Sequence, residues 1–170
     1  MQQLRQAHVG GDDVAVGGGR PVLLATFFSV PFDHDASVLA VDSAIESGQP
    51  LIVVNVVRLE PLPASVHLGV DHLKEPPEVD AALRAPAELA HSCGLRVERL
   101  LVKTPRPVTA LLEVVSERKP GLLVLGSDPS RLPRRFARRA WKAARENAGC
   151  LVSRAGDGPE DLPPNSPGDA

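Results

Sequence analysis

The strongest constraint on this chain is a rhythm: short apolar runs alternate with longer stretches of helical spacing. The runs are Pro21-Val22-Leu23-Leu24-Ala25-Thr26-Phe27-Phe28, Leu51-Ile52-Val53-Val54-Asn55-Val56-Val57, residues 96–102, Gly121-Leu122-Leu123-Val124-Leu125-Gly126 and Cys150-Leu151-Val152. Unbroken Leu and β-branched runs suit strands covered on both faces, as in a parallel sheet. The run at 96–102 alternates instead. Between them, residues 36–47 place Val38, Leu39, Val41, Ala44 and Ile45 on one side, and Gly48 closes the segment. Residues 78–93 form a second helical pattern, with Pro86 inside it and Gly94 at its end. A third spans 107–118 and stops before Pro120; a fourth spans 134–147. The order predicts an α/β fold with a doubly wound, Rossmann-like parallel sheet.

The ends read differently. Residues 1–19 are glycine-rich and predicted disordered; residues 155–170 form an acidic tail rich in proline and glycine, also predicted disordered. The folded domain is expected over 20–154. Residues 58–77 hold four prolines and no clear period, so they read as a long loop. No apolar run reaches the roughly 18 residues of a membrane span. The first twenty residues lack the apolar core of a secretory signal, so a cytoplasmic protein without membrane attachment is expected. Aromatic residues make up 3%, too few for a base-stacking platform. Nucleic acid is therefore an unlikely partner.

Three stretches resemble the universal stress protein family across the folded body: VLLATFFSV, LIVVNVVRLEPL and VTALLEVVSERKPGLLVLGSDPS. The last is the most specific, with a helix, a charged linker, an apolar strand and Gly126-Ser127 in succession. The resemblance implies a five-stranded parallel sheet with helices on both faces, like that of the adenine-nucleotide hydrolases. It also implies a homodimer, often through the last strand, and ATP at the carboxyl ends of the first and fourth strands. Those ends suit the general rule that ligands bind where strand order reverses. The resemblance places Ala25, Thr26, Val56, Gly126 and Ser127 at that site.

The chain departs from the ATP-binding pattern in three places. Phe27 stands where such members end the first strand with Asp. Pro129 stands at the second glycine of the Gly-x-x-Gly turn, and Arg139-Ala140 at the later Gly-Ser or Gly-Thr. A glycine turn brings bare N–H groups to phosphate oxygens. Proline has no N–H to give. These changes predict a degenerate nucleotide site and a non-enzymatic regulatory or stress-adaptation protein.

The stretch SRLPRRFARRAWKAARENAG carries seven bases, Arg131, Arg134, Arg135, Arg138, Arg139, Lys142 and Arg145, opposite Leu132, Phe136, Ala140 and Ala143. Three readings stay open. The stripe is a solvated face; or Ser127, Ser130, Arg131, Arg134 and Arg135 hold an anion such as ATP through side chains; or the helix is an interaction module that docks an acidic protein partner, including the chain's own tail, or, less favoured, nucleic acid in a salt-sensitive, non-specific way. Asp33-His34-Asp35 follows the first strand, and the simplest reading makes Asp35 a helix cap. His67 and His72 read as exposed loop residues, Cys93 and Cys150 as small core residues, and Trp141 as a packing residue. There is no G-x-S-x-G elbow, no phosphate loop of the G-x-x-x-x-G-K-[ST] type, and no G-x-G-x-x-G after the first strand.

Overall fold

A computed structural model describes residues 4–8, 19–59 and 77–156. The element order is β1 (Leu4–His8), β2 (Val22–Phe27), α1 (His34–Ser47), β3 (Leu51–Arg58), α2 (Pro77–Ser92), β4 (Val97–Thr104), α3 (Pro107–Arg118), β5 (Leu122–Leu125), α4 (Arg134–Asn147) and β6 (Leu151–Arg154). The sheet runs β1-β4-β3-β2-β5-β6. Strands β2 to β6 are mutually parallel, as the apolar runs require. Order reverses at β2, which pairs with β3 on one side and β5 on the other.

The central strands alternate cleanly between two cores. Leu23, Ala25, Phe27, Ile52, Val54, Val56, Leu123 and Leu125 pack with Leu111 and Val114 of α3 and Phe136, Ala140 and Ala144 of α4. Val22, Leu24, Leu51, Val53 and Val124 pack with Ala36, Ala40 and Ala44 of α1 and Leu83 and Ala90 of α2. Both faces of one strand are therefore buried, and this is why those strands read as unbroken apolar runs.

Three local expectations are corrected. Residues 1–19 are not wholly without structure: Leu4–His8 pairs antiparallel with β4, Leu4 opposite Lys103 and His8 opposite Arg99. The segment LRQAH has no apolar period to announce a strand. Its backbone covers what would otherwise be an open edge of β4. The cap of α1 is Asp33 rather than Asp35; its Oδ2 accepts from the Ala36 N–H at 3.0 Å. Cys93 is exposed rather than a core residue, and Cys150 is half-buried. Burial raises the Cys150 thiol pKa, with the Leu123 backbone and Arg20 opposing the rise. Helix α2 runs through Pro86. Most of the proline-rich loop, with His67 and His72, and the acidic tail from residue 157 lie outside the described residues.

Candidate functional site

The carboxyl ends of β2 and β5 meet where strand order reverses, and the chain there is knotted by its own polar groups. After β2, Phe28 and Ser29 take left-handed backbone conformations, with φ of 56° and 58°. Such conformations cost a non-glycine residue about 1 kcal/mol each and need outside support. Asn55 of β3, fully buried, supplies it. The Ser29 N–H donates to Asn55 Oδ1, and Asn55 Nδ2 donates to Ser29 Oγ, both at 3.1 Å. The Phe28 N–H donates to the Val56 carbonyl at 2.8 Å. Thr26 Oγ1 donates to the Val30 carbonyl at 2.6 Å and lies 2.9 Å from Ser127 Oγ.

Two loops cross this crest and bond to each other. The Asp33 N–H donates to the Gly126 carbonyl at 2.8 Å, and the Asp128 N–H to the Pro31 carbonyl at 2.9 Å. Phe32 and Ser127 form a β-bridge between them. Gly126 is needed for that crossing. A Cβ there would lie 2.6 Å from Leu24 Cδ1 and 2.9 Å from Phe32 Cδ1. The glycine makes room for Phe32 against the strand end.

The turn after β5 spends its donors internally. Ser127 Oγ accepts from the Phe27 N–H at 3.2 Å. Asp128 Oδ1 accepts from the Ser130 N–H at 2.9 Å and from Ser130 Oγ at 2.7 Å. These two bonds, the side-chain one first, hold the Asp128 carboxyl below its usual pKa, with help from Arg131. Arg131 Nε lies 3.8 Å from Asp128 Oδ2. The turn thus presents a carboxylate and Pro129, two groups unfavourable to a phosphate.

Above β2 the space is aromatic. Phe27 is buried and meets the Phe136 ring edge-on at 4.9 Å; Phe28 lies 4.8 Å from the same ring. Arg58 sits over Phe28 and Arg139 over Phe136, at 5.6 and 5.5 Å. Rings from the β2 end and α4 therefore bridge the crest, held by dispersion and cation–π contact.

The residues expected to bind a ligand divide into three groups. Ala25, Thr26, Val56, Gly126 and Ser127 are buried beneath the crest, and the two hydroxyls serve the knot. Ser130 is bound to Asp128. Arg131 lines a cleft of ≈ 740 Å3 with Phe28, Phe32, His34, Ser37 and the α2 residues Ala82, Pro86 and Leu89. Arg134 and Arg135 are exposed on the first turn of α4 and line neither this cleft nor a second cavity of ≈ 310 Å3 between α4 and β5–β6. Sequence reasoning missed Phe28, Ser29, Asn55, Asp128 and Phe136. The signal for Asn55 was present: a lone polar residue inside an apolar strand. Among the described residues, no group of three or more His, Cys, Asp or Glu side chains could hold a metal ion. No described helix is long and apolar enough to cross a membrane.

Fold and crest together define a doubly wound α/β domain with a ligand-type switch point. The family model of the universal stress proteins matches residues 20–145, and the chain belongs to that family. Among solved structures, the fold is similar to a universal stress protein from Archaeoglobus fulgidus in complex with dAMP. That likeness has a TM-score of 0.54 at 18% identity, covering 79% of this chain and 96% of the other. A second structure of a universal stress protein from the same organism gives a TM-score of 0.52 at 17% identity, with 78% and 92% covered. A universal stress protein family member from Arabidopsis thaliana with AMP bound gives 0.50 at 15% identity, with 85% and 97% covered. No curated protein matches the chain at a significant level.

Proposed function

We propose that this protein is a non-enzymatic, regulatory universal stress protein whose nucleotide site has been closed. One observation carries the reading: Phe27, Phe28 and Phe136 pack ring to ring at the end of β2 while the two flanking loops hydrogen-bond to each other. A bound nucleotide needs room at that crest and donors for its phosphates. Here aromatic rings take up part of that room, and the turn offers Asp128 and Pro129.

Structures of the same fold are described with dAMP and with AMP, so nucleotide binding is the reading to beat. Its best support is Arg131, in the wall of the wide cleft beside Phe28 and Phe32. Calorimetric titration of the full chain with ATP and with AMP separates the two. The closed-site reading expects no saturable heat up to millimolar nucleotide. Micromolar binding that is lost in Arg131→Ala would overturn it in favour of a side-chain phosphate site.

We further infer a cytoplasmic homodimer formed through β6. This strand ends the sheet, and Leu151 on it is 75% exposed. Unpaired strand edges with an exposed large apolar residue favour pairing with a second copy. Light scattering is expected to give twice the 18.0 kDa chain mass, and Leu151→Lys to give the monomer.

A further inference from the structure

Helix α4 gathers positive charge at an end where a helix favours negative charge. It holds six bases, Arg134, Arg135, Arg138, Arg139, Lys142 and Arg145, and one acid, Glu146, in a chain whose net charge is −2. Its first turn contains no acid, and Pro133 at the N-cap makes no side-chain hydrogen bond. The first turn of a helix carries positive partial charge, so acids stabilise it and bases oppose it. Helix α1 shows the usual arrangement, with Asp33 as its cap and Asp35 in its first turn. Along α4, the pairs Arg134–Arg138, Arg135–Arg138 and Arg138–Lys142 stand three or four residues apart, where like charges repel. The acids nearby are committed elsewhere: Asp128 to Ser130 and Arg131, and Glu146 to Lys142. Arg139 and Arg145 lie over the Phe136 and Trp141 rings. Arg134, Arg135 and Arg138 are exposed and have no ion pair among the described residues.

The chain itself brings acids to this place. Helix α4 starts at the carboxyl edge of the sheet, and β6 returns to that edge beside β5, with Arg154 opposite Leu125. The Ala155 N–H then donates to the Leu125 carbonyl at 2.9 Å. Gly156 shares one wall with Pro129, Leu132 and Ala137, so the described residues end beside the first turn of α4. Residues 157–170 hold four acids, Asp157, Glu160, Asp161 and Asp169, and no base. The first three fall within five residues of Gly156, a reach of at most about 17 Å. Arg134 to Lys142 covers about 12 Å of helix. Length, position and charge therefore match.

We propose that the acidic segment after Gly156 docks on the basic face of its own α4, with Asp157, Glu160 and Asp161 opposite Arg134, Arg135 and Arg138. Exposed ion pairs are individually weak, so the contact relies on covalent attachment, which holds the acids at millimolar effective concentration. The consequence is regulatory. An acidic partner from outside must compete with the chain's own segment for α4. The contact lies on the outer face of the helix, where Arg134 and Arg135 line neither cavity, and it does not depend on how nucleotides behave at the crest.

The experiment compares arginine Nε–H resonances of the full chain with those of the full-length variant Asp157→Asn/Glu160→Gln/Asp161→Asn. Neutralising the three acids is expected to move the Arg134, Arg135 and Arg138 signals and to leave Arg84 and Arg99 in place. The difference is expected to vanish in about 0.5 M salt, where the Debye length is about 4 Å, and to persist on roughly tenfold dilution and in Leu151→Lys. In parallel, neutralisation is expected to raise the affinity for polyglutamate roughly three- to tenfold, and by less than about twofold when Arg134→Gln and Arg138→Gln are also present. No movement of the three signals would overturn the proposal. So would movement that survives in salt, or an equal gain in polyglutamate affinity with and without the arginines. A difference lost on dilution or in Leu151→Lys would also overturn it, by assigning the acids to the α4 of a second copy.

Discussion

The switch-point crest and the outer face of α4 adjoin in the chain and treat polarity in opposite ways. At the crest, Thr26, Ser29, Asn55, Ser127 and Asp128 all spend their polar groups on neighbours within hydrogen-bond distance. On α4, Arg134, Arg135 and Arg138 stand exposed and form no ion pair among the described residues. Lys142 has only an exposed contact with Glu146 at 4.0 Å. The difference is one of dielectric. A buried polar group left unpaired costs its full desolvation, so the crest must be satisfied internally. An exposed arginine is already satisfied by water. Polar side chains thus support the fold in one place and stand in solvent in the other.

Substitutions that break this contrast should differ in size accordingly. Phe136→Ala should cost the most, about 3 kcal/mol, because it removes the ring both crest phenylalanines pack on. In a chain of this size that lowers the melting temperature by about 10 °C, read by calorimetry. The same variant sharpens the functional reading: if aromatic filling excludes nucleotides, it should be the variant in which AMP binding first appears. Gly126→Ala should follow at about 2 kcal/mol, since Leu24 and Phe32 must both move. Asn55→Ala should cost a similar amount, about 2 kcal/mol, through two lost hydrogen bonds and a left-handed turn deprived of support. It should also raise hydrogen exchange at Ser29, a local sign that the turn has opened.

Asp128 offers a test by pH. Its folded pKa is depressed, so its contribution is fully present above the ordinary carboxylate range and is lost as pH falls through the depressed value. Asp128→Ala should therefore reduce the acid sensitivity of unfolding without changing its slope near neutrality. The smallest effect belongs to α4. Arg138→Ala should leave stability within about 0.5 kcal/mol of the parent in a denaturant titration. A larger loss would mean that the basic face supports the fold after all, and the contrast between the two regions would fail.

Much of the fold was legible in advance because burial on both faces leaves a direct trace in composition. The runs at Val22–Phe27, 51–57 and Leu122–Leu125 are dominated by apolar residues for that reason. Helices α3 and α4 were legible from their periodicity and from Pro107 and Pro133 at their starts. Strand β1 was not, since its described role is backbone pairing and LRQAH carries no apolar alternation. The site was legible only by subtraction. Against the family resemblance, Phe27, Pro129 and Arg139 could be seen to stand where ATP-binding members carry other residues, whereas the roles they take here could not be seen. Gly126 illustrates the limit: its neighbours in sequence suggest a phosphate turn, and its neighbours in space show that it accommodates Phe32.

By itself, then, the sequence determined the layered α/β architecture, the family and the basic face of α4. These are properties of composition and spacing along the chain. Tertiary structure alone decided that Asn55 holds the turn after β2, that Phe28 and Phe136 meet above it, that two loops bond across the crest, and that alanines on α4 leave a cavity beside Trp141. Each of these depends on residues distant in sequence arriving at one place. Separation along the chain carries no record of that, because packing and hydrogen bonding act through distances of a few ångströms, whatever the length of chain between.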